Sequence, residues 1–146
     1  MASTPTRVLF LCTGNSARSQ MAQAILEQIG GPDFAVESAG TEPKSINPMT
    51  LRVLAEADID WSAATSKSVD QFLRQPFDYV ITVCDRARQA CPVFPGARTS
   101  LHWDIEDPAE VGGSHGERAA AFRAAYADLR ERIEAFVRTT AGTPAS

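Results

Sequence analysis

The sequence has no apolar run near the roughly 20 residues that a membrane-spanning helix requires. Its first apolar run, residues 8–11, is too short for the core of a signal peptide. Positive charge is also scarce, since 14 Lys and Arg residues stand against 18 Asp and Glu residues and give a formal net charge of −4. This balance argues against nucleic acid or an anionic membrane as a partner. We therefore expect a cytoplasmic protein in which any anionic ligand needs a local positive site.

Cysteine is rare as well, with Cys12, Cys84 and Cys91 as the three residues of this type. An odd number of cysteines in a reducing compartment does not indicate a structural disulfide framework. The spacing of Cys84 and Cys91 is too long for the paired ligands of a structural zinc site, and neither histidine completes such a pattern, so we expect no metal. The cysteines are either reactive thiols or inert buried ones.

Apolar runs that alternate with helical patterns predict an α/β fold. Strands are predicted at residues 7–12, 34–38, 77–83 and 99–103, and helices at 19–29, from Pro48, at 68–73 and from Ser114 to about 137. We expect one domain over residues 1–146, a four-stranded parallel sheet with helices on both faces, and frayed ends at about 1–6 and 139–146. Ligands of such sheets bind beyond the carboxyl ends of the strands, where Cys12 and Cys84 both fall.

The loop between the first predicted strand and the first helix carries the clearest chemical signal. It begins at Cys12 and reaches Arg18 after five residues. Backbone N–H groups in such a loop form an anion-binding nest at a helix N-terminus, and the residues predicted to form it are Thr13, Gly14, Asn15, Ser16 and Ala17. The planar fork of Arg18 suits a tetrahedral oxyanion. This positive cradle and a hydrogen bond from Ser19 favour the thiolate form of Cys12.

The sequence motifs around these residues resemble those of a known protein family. The matching motifs are CTGNSARSQMA at residues 12–22, ESAG at 37–40, TVC at 82–84, CP at 91–92, HW at 102–103 and DP at 107–108. They are similar to the low-molecular-weight protein tyrosine phosphatases, and more closely to the thioredoxin-coupled arsenate reductases of that fold, over nearly the whole chain. The resemblance implies that Cys12 is the nucleophile, that Arg18 holds the oxyanion and that Asp107 is the general acid.

Asp107 also has a local argument in its favour, because the following Pro108 restricts the backbone and helps to aim the carboxyl group. A positioned carboxylic acid delivers the proton that a departing oxygen needs. The neighbouring carboxylates are interpreted as a solvated acidic loop, and they are Asp104, Glu106 and Glu110.

The segment between Cys84 and Cys91 is polar. As a continuous helix it would hold the two Cα atoms about 10 Å apart, whereas a disulfide requires roughly 7 Å or less. A bond between these two cysteines therefore requires the segment to bend or unwind.

The resemblance implies the chemistry of these thiols. Cys12 attacks arsenate, Cys84 attacks Cys12 and arsenite leaves. Cys91 then resolves the disulfide, and thioredoxin reduces the Cys84–Cys91 pair. The implied ligands are arsenate, phosphate and sulfate, the implied protein partner is thioredoxin, no cofactor is needed, and we expect a monomer.

Two departures from the family pattern matter. Some members hold a potassium ion behind the loop with carboxylates, at positions where this chain has Gln23 and Lys67. A lysine repels a cation, so we expect no potassium site, and Asn15 and Ser38 are expected to support the loop by hydrogen bonds. Some members also carry an additional cysteine where this chain has Ala17, and the relay does not need it.

Two other functions fit part of this pattern. A protein tyrosine phosphatase shares the loop, the arginine and the acid, although Ala109 and Glu110 stand after Asp107-Pro108 where an aryl substrate would favour tyrosines. A thiol redox sensor without turnover would keep the cysteines but would not need Asp107.

Overall fold

The computed structural model describes residues 4–84 and 94–141 and contains a four-stranded parallel sheet. Its strands are β1 (Thr6–Cys12), β2 (Phe34–Gly40), β3 (Phe77–Cys84) and β4 (Ala97–Asp104), in the order β2-β1-β3-β4. The helices are α1 (Arg18–Gly30), α2 (Pro48–Glu56) and α3 (His115–Ala141), and short 3₁₀ turns occur at Gly31–Asp33, Val69–Phe72 and Pro108–Glu110. The predicted fold class is confirmed. Among the described helices, none is long and apolar enough to span a membrane.

Local signals set the helix ends. The Asn47 side chain accepts a hydrogen bond of 2.9 Å from the Met49 N–H, and Pro48 occupies the first position of α2, as its missing N–H allows. At the start of α3, Ser114 and Glu117 exchange hydrogen bonds between side chain and backbone, which is a capping box.

Helical elements cover both faces of the sheet, but unequally. The first face packs against all three α-helices, with a core that includes Phe10, Ile81, Met21, Leu54 and Phe122. The second face packs against the turn at Val69–Phe72 and against Phe94, with Leu9, Leu11 and Val80 in its core. Since side chains alternate along a strand, neighbouring positions of β1 and β3 serve different cores.

Four predicted boundaries need correction. The last helix extends to Ala141, beyond its predicted end at about residue 137, and within it Thr139 Oγ1 donates a 2.9 Å hydrogen bond to the Ala135 carbonyl. The first strand begins at Thr6, because this residue pairs with Phe34 of β2. The region 68–73 forms a 3₁₀ turn rather than a helix, and β4 is longer at both ends than 99–103 because its pairing with β3 starts at Ala97 and ends at Asp104.

Candidate active site

Cys12 ends β1 at the carboxyl edge of the sheet and is buried, with 2% of its surface exposed. Its Sγ lies 2.8 Å from Ser19 Oγ and 3.2 Å from the backbone nitrogen of Asn15, whose N–H donates to the sulfur. In the Ser19 contact either atom can donate, whereas the Asn15 N–H points at the sulfur. The structure therefore brings together Cys12 and Ser19 as the sequence predicted.

Asn15 is the central support of the loop. It adopts φ = 48°, a left-handed conformation that asparagine tolerates better than most residues. Its amide donates to Ser19 Oγ at 2.8 Å and to Ser38 Oγ at 3.0 Å, and its Oδ1 accepts from the Lys67 N–H at 2.8 Å and from Gln20 Nε2 at 2.9 Å. The predicted support by Asn15 and Ser38 is present in the structure.

The carbonyl oxygens of the loop bind the segment that follows β2. Thr13 O accepts from the Glu42 N–H, and Gly14 O accepts from the Lys44 N–H, each at 2.9 Å. Ser16 O accepts from the Asn47 N–H and from Thr50 Oγ1, and Ala17 O accepts from the Met21 N–H in the first turn of α1. These bonds fix the backbone of the residues that are predicted to form the anion-binding nest.

Sequence reasoning missed Gln20 and Trp61. The Gln20 amide also donates to the carbonyls of Asn15 and Thr65, each at 3.1 Å, and Trp61 Nε1 donates to Gln20 Oε1 at 2.8 Å. Gln20 stands inside the recognised motif, but no local pattern connects it with a tryptophan so far along the chain. These bonds tie the loop to the segment after α2.

Gly40 is the third residue whose role was missed. A Cβ built at this position would clash with the Thr13 carbonyl oxygen and would lie 2.9 Å from the Asn15 nitrogen. The end of β2 therefore approaches the loop as closely as a backbone without a side chain allows. The glycine that follows Ala39 was a recognisable signal, although sequence reasoning treated it only as a strand end.

Arg18 and Asp107 meet across the site. Arg18 is 3% exposed, its Nη1 donates to the Ile105 carbonyl at 2.9 Å, and its Nη2 lies 3.5 Å from Asp107 Oδ2. The other carboxylate oxygen of Asp107 accepts from the Ala109 N–H at 3.0 Å, and Pro108 opens the short turn that holds it. The ion pair with Asp107 and the hydrogen bond to the Ile105 carbonyl together orient the Arg18 guanidinium.

The second predicted thiol occupies the other side of the sheet. Leu11 pairs with Thr82, and both therefore point to the second face, so Cys84 two residues later does too, whereas Cys12 belongs to the core of the first face. Cys84 is fully buried and disulfide-bonded, whereas Cys12 is a free thiol. Cys91 lies outside the described residues, so its predicted pairing stays a prediction.

Gln23 and Lys67 form the region behind the loop. Gln23 Oε1 accepts a 2.6 Å hydrogen bond from Ser38 Oγ, and its Nε2 donates to Glu27 at 2.8 Å. Lys67 Nζ donates to the Thr65 carbonyl at 3.5 Å, and burial lowers the pKa of this ammonium although Glu37 and Glu27 act in the opposite direction. Between residues 4 and 84 and between 94 and 141, no cluster of side chains suited to a metal ion occurs.

A free thiol and a guanidinium from one loop thus lie beside the carboxyl group of Asp107, a set of groups suited to nucleophilic displacement at a tetrahedral oxyanion. The family model described as low molecular weight phosphotyrosine protein phosphatase matches residues 7–143. The chain belongs to this family.

Several proteins that are similar to this chain are arsenate reductases. One from Halalkalibacterium halodurans is 39% identical over 132 residues, which are 90% of this chain and 95% of the relative. A solved arsenate reductase in the phosphate-binding state has a TM-score of 0.79 at 29% identity and covers 92% of this chain and 98% of its own. A thioredoxin-dependent arsenate reductase of Corynebacterium glutamicum has a TM-score of 0.62 at 32% identity, covering 92% of this chain and 64% of its own.

Proposed function

We propose that this chain reduces arsenate to arsenite through three thiols, with thioredoxin as the electron donor. The observation that carries the proposal is the pair of unlike cysteines at neighbouring strand ends: Cys12 is a free thiol in an oxyanion loop, and Cys84 is disulfide-bonded. A phosphatase needs the first cysteine but has no use for the second. Similarity to arsenate reductases, one of which is thioredoxin-dependent, supports the same function.

The first step joins arsenic to sulfur. Arsenate enters the loop and takes Arg18 as its partner, which releases Asp107 from its 3.5 Å contact with Arg18. The Cys12 thiolate attacks arsenic, and Asp107 gives its proton to the departing hydroxide, which leaves as water. The product is a Cys12–arsenic bond with arsenic still pentavalent.

The second step transfers the electrons. A thiolate of Cys84 attacks Cys12 Sγ, a sulfur–sulfur bond forms and the sulfur–arsenic bond breaks. The electron pair of the broken bond stays on arsenic, which is thereby reduced to the trivalent state and leaves as arsenite. Cys91 then attacks Cys84, the Cys12 thiolate is released, and the dithiol of thioredoxin reduces the Cys84–Cys91 disulfide by the same kind of exchange.

The relay requires Cys84 to leave the second face of the sheet, because Cys12 belongs to the first. Cys84 pairs with Asp104 of β4, and its carbonyl accepts a 3.4 Å hydrogen bond from the Ile105 N–H. This end of β3 must therefore separate from β4 before the thiol can move.

The proposal is tested with purified protein, arsenate, thioredoxin, thioredoxin reductase and NADPH, by following the loss of NADPH. We expect turnover in the wild type and background rates in the variants Cys12→Ser, Cys84→Ser and Cys91→Ser. Hydrolysis of an aryl phosphate by the same proteins is the control. It should be weak, absent in Cys12→Ser, and retained in the other two variants, which shows that their oxyanion loops are intact.

The phosphatase alternative makes the opposite prediction on the same proteins. Family membership and the Cys12, Arg18 and Asp107 arrangement favour it as a second candidate. Strong aryl phosphatase activity that ignores Cys84 and Cys91, without arsenate turnover, would overturn the reductase proposal. A redox sensor would show thiol oxidation without turnover of either substrate.

A further inference from the structure

The segment that follows β2, residues 42–47, packs along the oxyanion loop and forms its wall. Three backbone hydrogen bonds connect the two, from Glu42 N–H to Thr13 O, from Lys44 N–H to Gly14 O and from Asn47 N–H to Ser16 O, with lengths of 2.9, 2.9 and 3.1 Å. Ser16 Oγ adds a fourth, to the Ser45 carbonyl at 2.9 Å. Residues of this segment are therefore fixed relative to the anion-binding backbone.

Lys44 is the basic residue of this wall. A Cβ built on Gly14 would lie 3.6 Å from Lys44 Cδ and 3.8 Å from its Cγ, so the lysine stem passes across the glycine at ordinary contact distance. The side chain is exposed. An aliphatic stem packed on backbone with its charged end in water is the usual arrangement of a surface lysine, but here that backbone belongs to the oxyanion loop.

The other charges around the oxyanion loop indicate how the Lys44 ammonium acts on an incoming anion. Arg18 Nη2 lies 3.5 Å from Asp107 Oδ2, so this carboxylate compensates the charge of Arg18. The exposed carboxylate of Glu42 and the overall charge of −4 both repel an incoming anion. None of the ion pairs among residues 4–84 and 94–141 includes Lys44.

We propose that Lys44 is the recruiting residue of the site, which attracts doubly charged tetrahedral oxyanions to the loop before Arg18 exchanges Asp107 for the anion. The binding role depends on the oxyanion loop alone. Its consequence for catalysis rests on the proposed reductase function. A residue of this kind speeds the capture of substrate and leaves the bond-making steps unchanged, since it acts before Cys12 reacts.

The expected size follows from Coulomb's law. A single positive charge within roughly 8 Å of a dianion in a water-like dielectric changes affinity about threefold to fivefold at low salt. At 1 M salt the Debye length is about 3 Å, so the effect should disappear. A monoanion should feel about half of the interaction free energy.

Binding is measured by calorimetry with inorganic phosphate and with arsenate, in a Cys12→Ser background that prevents reaction. We expect Lys44→Gln to raise the dissociation constant about threefold to fivefold at low salt and not at 1 M salt. Lys44→Arg should restore tight binding. The matched control is Arg52→Gln, which removes an exposed positive charge from α2, where Arg52 pairs with Glu56, and it should leave anion binding unchanged.

Two results would overturn the proposal: equal dissociation constants for wild type and Lys44→Gln at low salt, or an equal loss in Arg52→Gln. Because binding needs no turnover, the proposal survives if the wild type fails to reduce arsenate. Where turnover exists, Lys44→Gln should lower kcat/KM about threefold to fivefold with kcat unchanged. A parallel fall in kcat would contradict recruitment, because it would place Lys44 in a later step.

Discussion

Two cysteines end neighbouring strands of the same sheet, and the structure treats them differently. Around Cys12, side chains and backbone of the loop form short hydrogen bonds, with Ser19 at 2.8 Å from the sulfur and Asn15 bonded to four separate groups. Cys84 instead pairs with Asp104 at the end of the β3–β4 ladder, and its sulfur is disulfide-bonded. One cysteine is a free thiol inside a hydrogen-bonded loop, and the other is a bonded sulfur at the end of a strand pair.

The difference suits the two tasks in the proposed relay. A nucleophile that attacks a tetrahedral centre gains from a preorganised cradle, because groups already in place need no reorganisation during the reaction. A thiol that must reach a partner on the opposite face of the sheet has to leave its strand pairing first, through local opening of the strand end. The comparison predicts that changes at the two ends affect different steps.

The largest effect is expected from Asp107→Asn, which removes the proton donor at the Cys12 end. Loss of a general acid should lower arsenate turnover about 10²- to 10⁴-fold. Reduction of the oxidised protein by thioredoxin should proceed at the wild-type rate, since that step takes place at the other end. Stopped-flow fluorescence of thioredoxin oxidation measures the second rate, and Glu106→Gln is the control, because it removes a neighbouring exposed carboxylate. Equal losses in both rates would contradict the separation of the two ends.

A smaller effect is expected from Asn15→Ala, which removes the central support of the loop. The groups bonded to its amide are buried, so the free energy of unfolding should fall by about 3 kcal/mol, and kcat/KM should fall about a hundredfold because 1.4 kcal/mol corresponds to a factor of ten. Asn47→Ala is a matched control, because it removes only a helix cap worth about 1 kcal/mol. Chemical denaturation and steady-state kinetics together test this. Similar stability losses in the two variants would show that Asn15 is not the central support.

Gly40→Ala should have a still smaller effect. The added methyl group would meet the Thr13 carbonyl and the Asn15 nitrogen, so the loop must shift, at a cost of about 1–3 kcal/mol in stability. We expect about a tenfold loss of kcat/KM from the displaced nest. Gly112→Ala is the control, because a Cβ at Gly112 has no neighbour within 4 Å. Thermal melts and arsenate kinetics should separate the two, and identical behaviour would mean that β2 does not position the loop.

The smallest effect is expected from potassium. Lys67 is half buried behind the loop beside the Thr65 carbonyl, and its positive charge repels a second cation there. Replacing NaCl by KCl at equal ionic strength should leave kcat and KM for arsenate unchanged. A potassium-dependent rise in kcat/KM would refute this expectation.

The sequence predicted the elements whose signals are local. The apolar runs of β1 and β3, the start of α2 at Pro48 and the Cys12 loop all follow from neighbouring residues. The bonds from Trp61 to Gln20 and the approach of Gly40 to Thr13 were not predictable, because they depend on how distant segments meet. The opposite orientation of Cys12 and Cys84 depends on strand register, which apolar runs buried on both sides do not reveal.

The central claim is that electrons pass from Cys84 to Cys12 and on to arsenic, and one single-turnover experiment tests it directly. Reduced Cys91→Ser protein is mixed with one equivalent of arsenate, acid-quenched and examined by mass spectrometry of peptides. The relay predicts one arsenite per protein, a mass loss of two hydrogens and a peptide pair joined through Cys12 and Cys84. Release of arsenite without this disulfide, or persistence of both free thiols after mixing, would contradict the account.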